Sequence, residues 1–174
     1  MAYQRSSPLL KILATFVLLA VCCNTYAQDI LAQIASHQER IEKLENDFIT
    51  SQRRILASAS TSSAQDLTFD QLNAVGNLLG SANREFSALT QSLMLAALVT
   101  DKRALPQAKR IVENQKDFMV KRMQSAVEYT EKTLLRAKDP ETNRLLLEAR
   151  DIFRASAEFV GRMKVSEPKG SPGR

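Results

Sequence analysis

Cysteine is almost absent from this sequence of 174 residues. Its two copies, Cys22 and Cys23, are adjacent and near the N-terminus, so no thiol occurs from residue 24 onward. A disulfide, a thiolate nucleophile and a cysteine metal site are therefore excluded from that long segment. The sequence also has no Asn-x-Ser/Thr glycosylation acceptor. Together these absences favour a bacterial periplasm or culture medium over a eukaryotic secretory route.

Tryptophan is missing, and glycine and proline occur only five times each. The sequence has no alternating run of β-branched residues that would predict a strand. Alanine, leucine, glutamine, glutamate, lysine and arginine are abundant instead, and these side chains lose little rotamer freedom in a helix. The composition therefore predicts an all-α protein.

Histidine occurs once, as His37. One histidine without a nearby thiol excludes the usual catalytic triads and most transition-metal sites. The sequence also has no Gly-rich phosphate loop, no Gly-x-Ser-x-Gly elbow and no His-Glu-x-x-His motif. Carboxylate pairs such as Glu39 and Glu42 lie beside a heptad seam and are interpreted as solvated flanks. We therefore predict that the protein is not an enzyme and has no cofactor.

His37 falls on a seam position of the first predicted helix. It is interpreted as a structural histidine, with setting of the helix register and pH sensing as further possible roles. Two metal alternatives exist: haem held by His37 and a methionine such as Met94, and Cu(I) held by Met119 and Met123. No Cys-x-x-Cys-His motif attaches a haem, and core methionines commonly fill gaps. The sequence therefore predicts no metal site.

The first 27 residues have the layout of a secretory signal peptide. Arg5 and Lys11 flank its start, an apolar stretch covers residues 12–23, and Ala27 offers a small residue for cleavage. The stretch is shorter than the ~20 residues that a helix needs to cross a ~30 Å hydrocarbon core. We predict Sec-type export, with cleavage after Ala27, to the periplasm or the medium. The alternatives are a lipoprotein with lipid on Cys22 and an uncleaved anchor.

Two helices are predicted in the first half of the remaining chain. The first covers residues 30–59 and repeats at seven-residue steps, which is a heptad pattern. The second begins at Thr68, whose side chain can cap the backbone at Gln71, after a loop over residues 58–65. The predicted seam residues are Ile34, Ile41, Phe48 and Ile55 in the first helix, and Leu72, Val75, Leu79, Ala82, Phe86, Leu89, Leu93 and Ala96 in the second.

Prolines indicate where two further helices start. Pro106 suits the first turn of a third helix, which is expected to end near residue 138. Asp139 and Pro140 then supply a cap and a first turn for a fourth helix that ends near residue 164. The predicted seam of the third helix is Ala108, Val112, Gln115, Met119, Met123, Ala126, Thr130, Leu134 and Ala137, and that of the fourth includes Leu145, Ala149, Ile152, Ser156, Phe159 and Met163.

Four amphipathic helices of this length predict an elongated antiparallel four-helix bundle over residues 28–164. The alternative is a three-rod bundle or coiled coil, in which the third and fourth helices continue through a kink at Asp139 and Pro140. Residues 165–174 are rich in proline and glycine and are predicted to form a disordered tail.

The second helix contains two candidate functional features. Residues 93–99 are apolar on every side of the helix, so either the other helix ends or a partner must cover them. The predicted interaction surface consists of Leu93, Met94, Leu95, Leu98 and Val99. A stripe of small residues, Gly76, Gly80, Asn83 and Ser87, predicts close packing against a neighbouring helix.

Charge differs between the two halves of the chain. Residues 28–100 contain 5 Lys/Arg and 8 Asp/Glu, whereas residues 101–174 contain 17 Lys/Arg and 11 Asp/Glu. The bases alternate with acids, which is typical of solvated helix sides rather than of a nucleic-acid surface. An acidic protein partner or an anionic envelope surface is the predicted use of the positive charge.

These features predict an exported, non-enzymatic helical-bundle protein that mediates protein–protein interaction in the bacterial envelope. It would act as an adaptor, a chaperone-like holder or an assembly subunit, with homo-oligomers included. One alternative is a periplasmic small-molecule-binding or sensory bundle, with a ligand near the small-residue stripe. Another is a secreted effector.

Overall fold

The computed structural model describes residues 25–57 and 63–164, with side chains over residues 28–57 and 68–164. These residues form four helices and no strand: α1 (Thr25–Ala57), α2 (Ser63–Leu98), α3 (Leu105–Leu134) and α4 (Pro140–Arg162). Nearly all of the predicted signal peptide, including Cys22, lies outside the described residues, as does the predicted tail. Cleavage, lipid attachment and disorder of the tail therefore stay predictions.

The four helices run alternately up and down. In each neighbouring pair of helices, residue numbers rise on one helix as they fall on the other, and α1 packs against α4 to close the ring. The contacts that show this are Gln38 with Ser87 and Glu42 with Asn83, Ser81 with Arg122 and Glu85 with Gln115, and His37 with Ser156 and Arg54 with Glu141. The predicted antiparallel four-helix bundle is confirmed.

The chain reverses between α3 and α4. Asp139 has extended backbone angles, and its carboxylate accepts hydrogen bonds from the backbone N–H and the hydroxyl of Thr142, at 2.7 and 2.8 Å. Pro140 is the first residue of α4, where its missing N–H leaves no bond unmade. The predicted cap is confirmed. The alternative of one continuous rod is wrong, because the cap ends helical geometry and α4 returns along α3.

Three predicted helix boundaries are wrong by several residues. α1 begins at Thr25 rather than at residue 30. α2 begins at Ser63, so the helix runs through Thr68, the predicted cap. A Thr-x-x-Gln pair caps a helix only where the backbone before it is not helical, and the residues from 63 to 67 are all compatible with a helix. α3 ends at Leu134, because the N–H groups of Arg136 and Ala137 both donate to the carbonyl of Thr133 in a tight turn.

The predicted seams form the core. Three phenylalanines from three helices, Phe48, Phe86 and Phe153, are fully buried there. The other fully buried large side chains are Ile34, Ile41, Leu72, Leu79, Leu89, Met119, Met123, Leu145 and Leu146. Because the core extends along all four helices, it holds the outer sides of those helices in fixed positions.

One seam position of α3 was predicted wrongly. Gln115 faces α2, where its amide donates to Glu85 at 3.2 Å, and Lys116 is buried instead. The stem of Lys116 is apolar and fills the seam, while its ammonium group pairs with the carboxylate of Glu113 at 2.8 Å. Residue type alone favoured glutamine over lysine as the buried seam residue, because glutamine is uncharged.

Candidate functional site

The apolar end of α2 is covered by the bundle only on its inner side. Leu93 packs against the core, and Met94 and Val99 are half-buried. Leu95 and Leu98 remain 66% and 60% exposed. The described helices therefore cover part of the predicted interaction surface and leave two leucines in solvent.

A second apolar stripe lies on α3. Ile111, Phe118 and Tyr129 are 54%, 49% and 45% exposed. Steps of seven and eleven residues separate them, so all three project from the same side of α3. The sequence pattern did not predict this stripe, because the seven-residue step from Ile111 to Phe118 is the same as that of the buried Val112 and Met119.

This stripe borders α2. The guanidinium carbon of Arg122 lies 5.6 Å from the centre of the Phe118 ring, and its nitrogens contact Ser81 at 2.8 Å and Glu85 at 3.2 Å. Leu95 follows Ser81 by fourteen residues, or two heptads, and therefore lies on the same side of α2. We call Leu95, Ile111, Phe118 and Tyr129 together the α2–α3 face.

A surface hollow of about 520 Å³ continues the α2–α3 face towards the start of α3. Its lining residues are Arg103, Pro106, Gln107, Arg110, Ile111 and Asn114. Both arginines are exposed, and neither forms an ion pair with a described residue. The hollow thus combines the apolar side chain of Ile111 with two guanidinium groups that form no ion pair with a described residue.

Two acids of α3 pair within the bundle, and a third lines a separate groove. Glu131 pairs with Arg154 of α4 at 3.0 Å, and Glu113 pairs with the buried Lys116. Glu128 lines a separate groove of about 740 Å³ between α3 and α4. The exposed bases Arg103, Arg110, Lys121 and Lys132 outnumber the remaining exposed acids Asp117 and Glu128, so the outer side of α3 has a net positive charge.

His37 belongs to an aromatic cluster at the end of the bundle that carries the α2–α3 turn. Its ring stacks on Phe159 at 4.8 Å and on Phe86 at 5.6 Å between ring centres, and its Nδ1 lies 3.3 Å from the Ser156 hydroxyl. Burial lowers the pKa of His37, and the nearby Arg40 guanidinium lowers it further. The position of the histidine was predictable from the heptad pattern, but its neighbours come from α2 and α4 and were not.

We expect the stability of the protein to fall as the pH falls below 6.5. Because the folded pKa of His37 lies below its ordinary value of 6.5, the unfolded chain takes up the proton first. The contribution of His37 is complete above pH 6.5 and is lost as the pH drops towards the folded pKa. Urea unfolding between pH 7.5 and 5.5 measures this loss, and a His37→Phe variant should lack this component. An unchanged profile in that variant would exclude His37 as the cause.

The small-residue stripe of α2 lies against α1. A Cβ atom at Gly76 would lie 3.6 Å from the amide nitrogen of Gln52, an ordinary contact, whereas one at Gly80 would lie 2.9 Å from a carboxylate oxygen of Glu45. Gly80 therefore leaves room for that carboxylate, whose pKa is raised mainly by burial. The remaining two stripe residues, Asn83 and Ser87, both accept hydrogen bonds from Gln38 at 3.1 Å. Side chains of α1 thus occupy the space beside the stripe.

The methionines considered for copper, Met119 and Met123, are both buried in the hydrophobic core. Within residues 25–57 and 63–164, no three His, Cys, Asp or Glu side chains are grouped so that they could hold a metal ion. None of the four helices in that part of the chain is long and apolar enough to cross a membrane. Comparisons with protein-family models, with curated proteins and with solved structures found no match.

Proposed function

We propose that this chain is an exported, non-enzymatic helical-bundle protein that binds another protein through the α2–α3 face. The exposure of Leu95, Ile111 and Phe118 carries this proposal. Large apolar side chains clustered at the surface of a soluble domain usually mark an interaction site, because contact with water there costs free energy.

The mechanism that follows is docking without conformational change. The side chains of the α2–α3 face project from two long helices that are packed on a continuous core. A rigid surface loses little conformational entropy when a partner covers it, so more of the apolar burial contributes to affinity. An adaptor, a holder or an assembly subunit in the envelope would all use this property.

The small-molecule alternative receives less support. That alternative placed a ligand beside the small-residue stripe. In the structure, Phe48 and Gln52 of α1 lie next to Gly76, and Glu45 lies next to Gly80. A ligand there would have to displace side chains of the bundle itself.

Site-specific crosslinking in the producing cells tests the proposed function. A photoreactive amino acid placed at Leu95, Ile111 or Phe118 should give adducts with one protein partner, because these positions lie within the proposed interface. The matched control positions are Glu148 and Asp151, which are exposed on α4. Adducts that form equally at both sets of positions, or at neither, would contradict the proposal.

A pair of matched substitutions separates binding from folding. Phe118→Ser is expected to reduce recovery of the partner at least tenfold, since hot-spot aromatic residues contribute about 2 kcal/mol or more. Leu147→Ser, which changes a similarly exposed apolar residue on α4, should leave recovery unchanged. Circular dichroism of both variants checks that each remains helical.

A further inference from the structure

The α2–α3 face is bordered by exposed bases that form no ion pair with a described residue, although the exposed acids Asp117 and Glu128 lie one turn before two of them. Lys121 follows Phe118 by three residues and Lys132 follows Tyr129 by three, which places each lysine one turn beyond an exposed aromatic side chain. Both lysines are exposed, and neither forms an ion pair with a described residue. By contrast, acidic partners are present for Arg54, Arg122, Arg144, Arg150, Arg154 and Arg162.

The shape of the α2–α3 face suits a rod. From Ile111 to Tyr129 the stripe covers eighteen residue steps of α3, or about 27 Å at 1.5 Å per residue. The hollow with Arg103 and Arg110 lies at one end of that line, and Lys132 lies at the other. A helix of about five turns is therefore long enough to contact the whole stripe.

We propose that the partner docks an acidic amphipathic helix on the α2–α3 face, as a fifth helix of the bundle. This inference rests on the proposed function and specifies the chemistry of the partner. Apolar residues of the incoming helix cover Ile111, Phe118 and Tyr129. Its carboxylates pair with the four unpartnered bases, which are Arg103, Arg110, Lys121 and Lys132.

A lipid surface fits these observations less well. The stripe side chains are only half exposed, and the Glu85 carboxylate is held between the helices by Gln115 and Arg122. A flat bilayer would need side chains that protrude from the surface. A helix can instead lie along the edge between α2 and α3 and reach half-buried side chains.

A matched pair of synthetic peptides tests the inference. Both peptides have leucine at the a and d positions of roughly three heptads, and they differ only in having glutamate or lysine at the flanking e and g positions. We expect the mature chain to bind the glutamate peptide at least tenfold more tightly than the lysine peptide, as measured by fluorescence anisotropy. The ratio should shrink when the ionic strength rises from about 0.05 to 0.5 M, because the charges are exposed.

Charge reversal supplies the controls. The double variant Arg103→Glu/Arg110→Glu should lose at least tenfold in affinity for the glutamate peptide, while Lys43→Glu, an exposed base of α1, should bind as the wild type does. Failure of the glutamate peptide to bind, or equal binding of both peptides, would overturn the inference. The inference would also be overturned if the chain bound phosphatidylglycerol vesicles through these arginines instead of binding the peptide. A homodimer whose interface covers Phe118 would overturn it as well.

The apolar residues distinguish this inference from the proposed function. If Ile111→Ser/Phe118→Ser abolishes partner recovery in cells while Arg103→Glu/Arg110→Glu does not, the proposed function stands and the acidic-helix inference fails. If neither pair of substitutions changes recovery, both fail. Loss of binding in both double variants, with Lys43→Glu unaffected, supports both.

Discussion

Replacing Phe86 by alanine is expected to lower the free energy of unfolding by about 3 to 5 kcal/mol, because the substitution leaves a cavity in a tightly packed core. Phe86 is fully buried and contacts the rings of both His37 and Phe159. The loss therefore includes aromatic contacts between three helices as well as buried apolar area. Urea unfolding followed by circular dichroism measures this change.

Phe118→Ala is the matched control, since the same atoms are removed from a half-exposed ring. Its free energy of unfolding should change by less than about 1 kcal/mol, as is usual for surface positions. Its binding to the partner should nevertheless be impaired, whereas Phe86→Ala should retain binding under conditions in which it is folded. Equal destabilisation by the two variants would mean that the α2–α3 face is part of the core.

Ser156→Asp is expected to cost about 3 to 5 kcal/mol at pH 8, because it places a carboxylate in the core without a charged partner. Ser156 is fully buried, and its hydroxyl lies 3.3 Å from Nδ1 of His37. The folded pair of side chains holds one proton more tightly than the unfolded chain does. Stability of the variant should therefore rise as the pH falls from about 8 towards 6.5, a range in which the contribution of His37 to wild-type stability changes little.

Ser156→Asn separates charge from size. The asparagine has nearly the volume of the aspartate but no charge, so its cost reflects packing and hydrogen bonding and is expected near 1 to 3 kcal/mol. Unfolding of the aspartate and asparagine variants across pH 8 to 6 compares them. The assignment of His37 as the neighbouring group would be wrong if both variants showed the same pH profile.

The periodic positions of the core were predictable because a buried helix side needs apolar residues every three or four positions. Ile41, Phe48, Leu79 and Leu145 follow that rule and are fully buried. The cap at Asp139 was equally predictable, since it depends only on residues next to it in the chain.

The exposed stripe on α3 was missed for a physical reason. Ile111 and Phe118 show the same seven-residue period as the buried Val112 and Met119, so spacing alone cannot separate an inner from an outer apolar side. Residues 93–99 are apolar on every side of the helix, and the sequence pattern shows this. Exposure of Leu95 and inward packing of Leu93 depend on where the other helices lie, so the pattern could not predict them.

The neighbours of His37 depend on tertiary register. Phe86, Ser156 and Phe159 reach the ring from two other helices, and no local pattern aligns positions that are 49 to 122 residues apart. Lys116 is a related case, because a long side chain can bury its stem and still reach Glu113. The ion pair itself is local to α3, but the burial of Lys116 depends on where the other helices lie.

An even number of alternating helices also brings the two ends of the described bundle together. The start of α1 and the end of α4 lie at the same end as the α2–α3 turn, as the contact between His37 and Phe159 shows. A short peptide linker could therefore join the two ends, and new termini could open at the α3–α4 turn on the opposite end. In such a circular permutant, a fused reporter or tag would be held at the far end of the molecule from the hollow with Arg103 and Arg110.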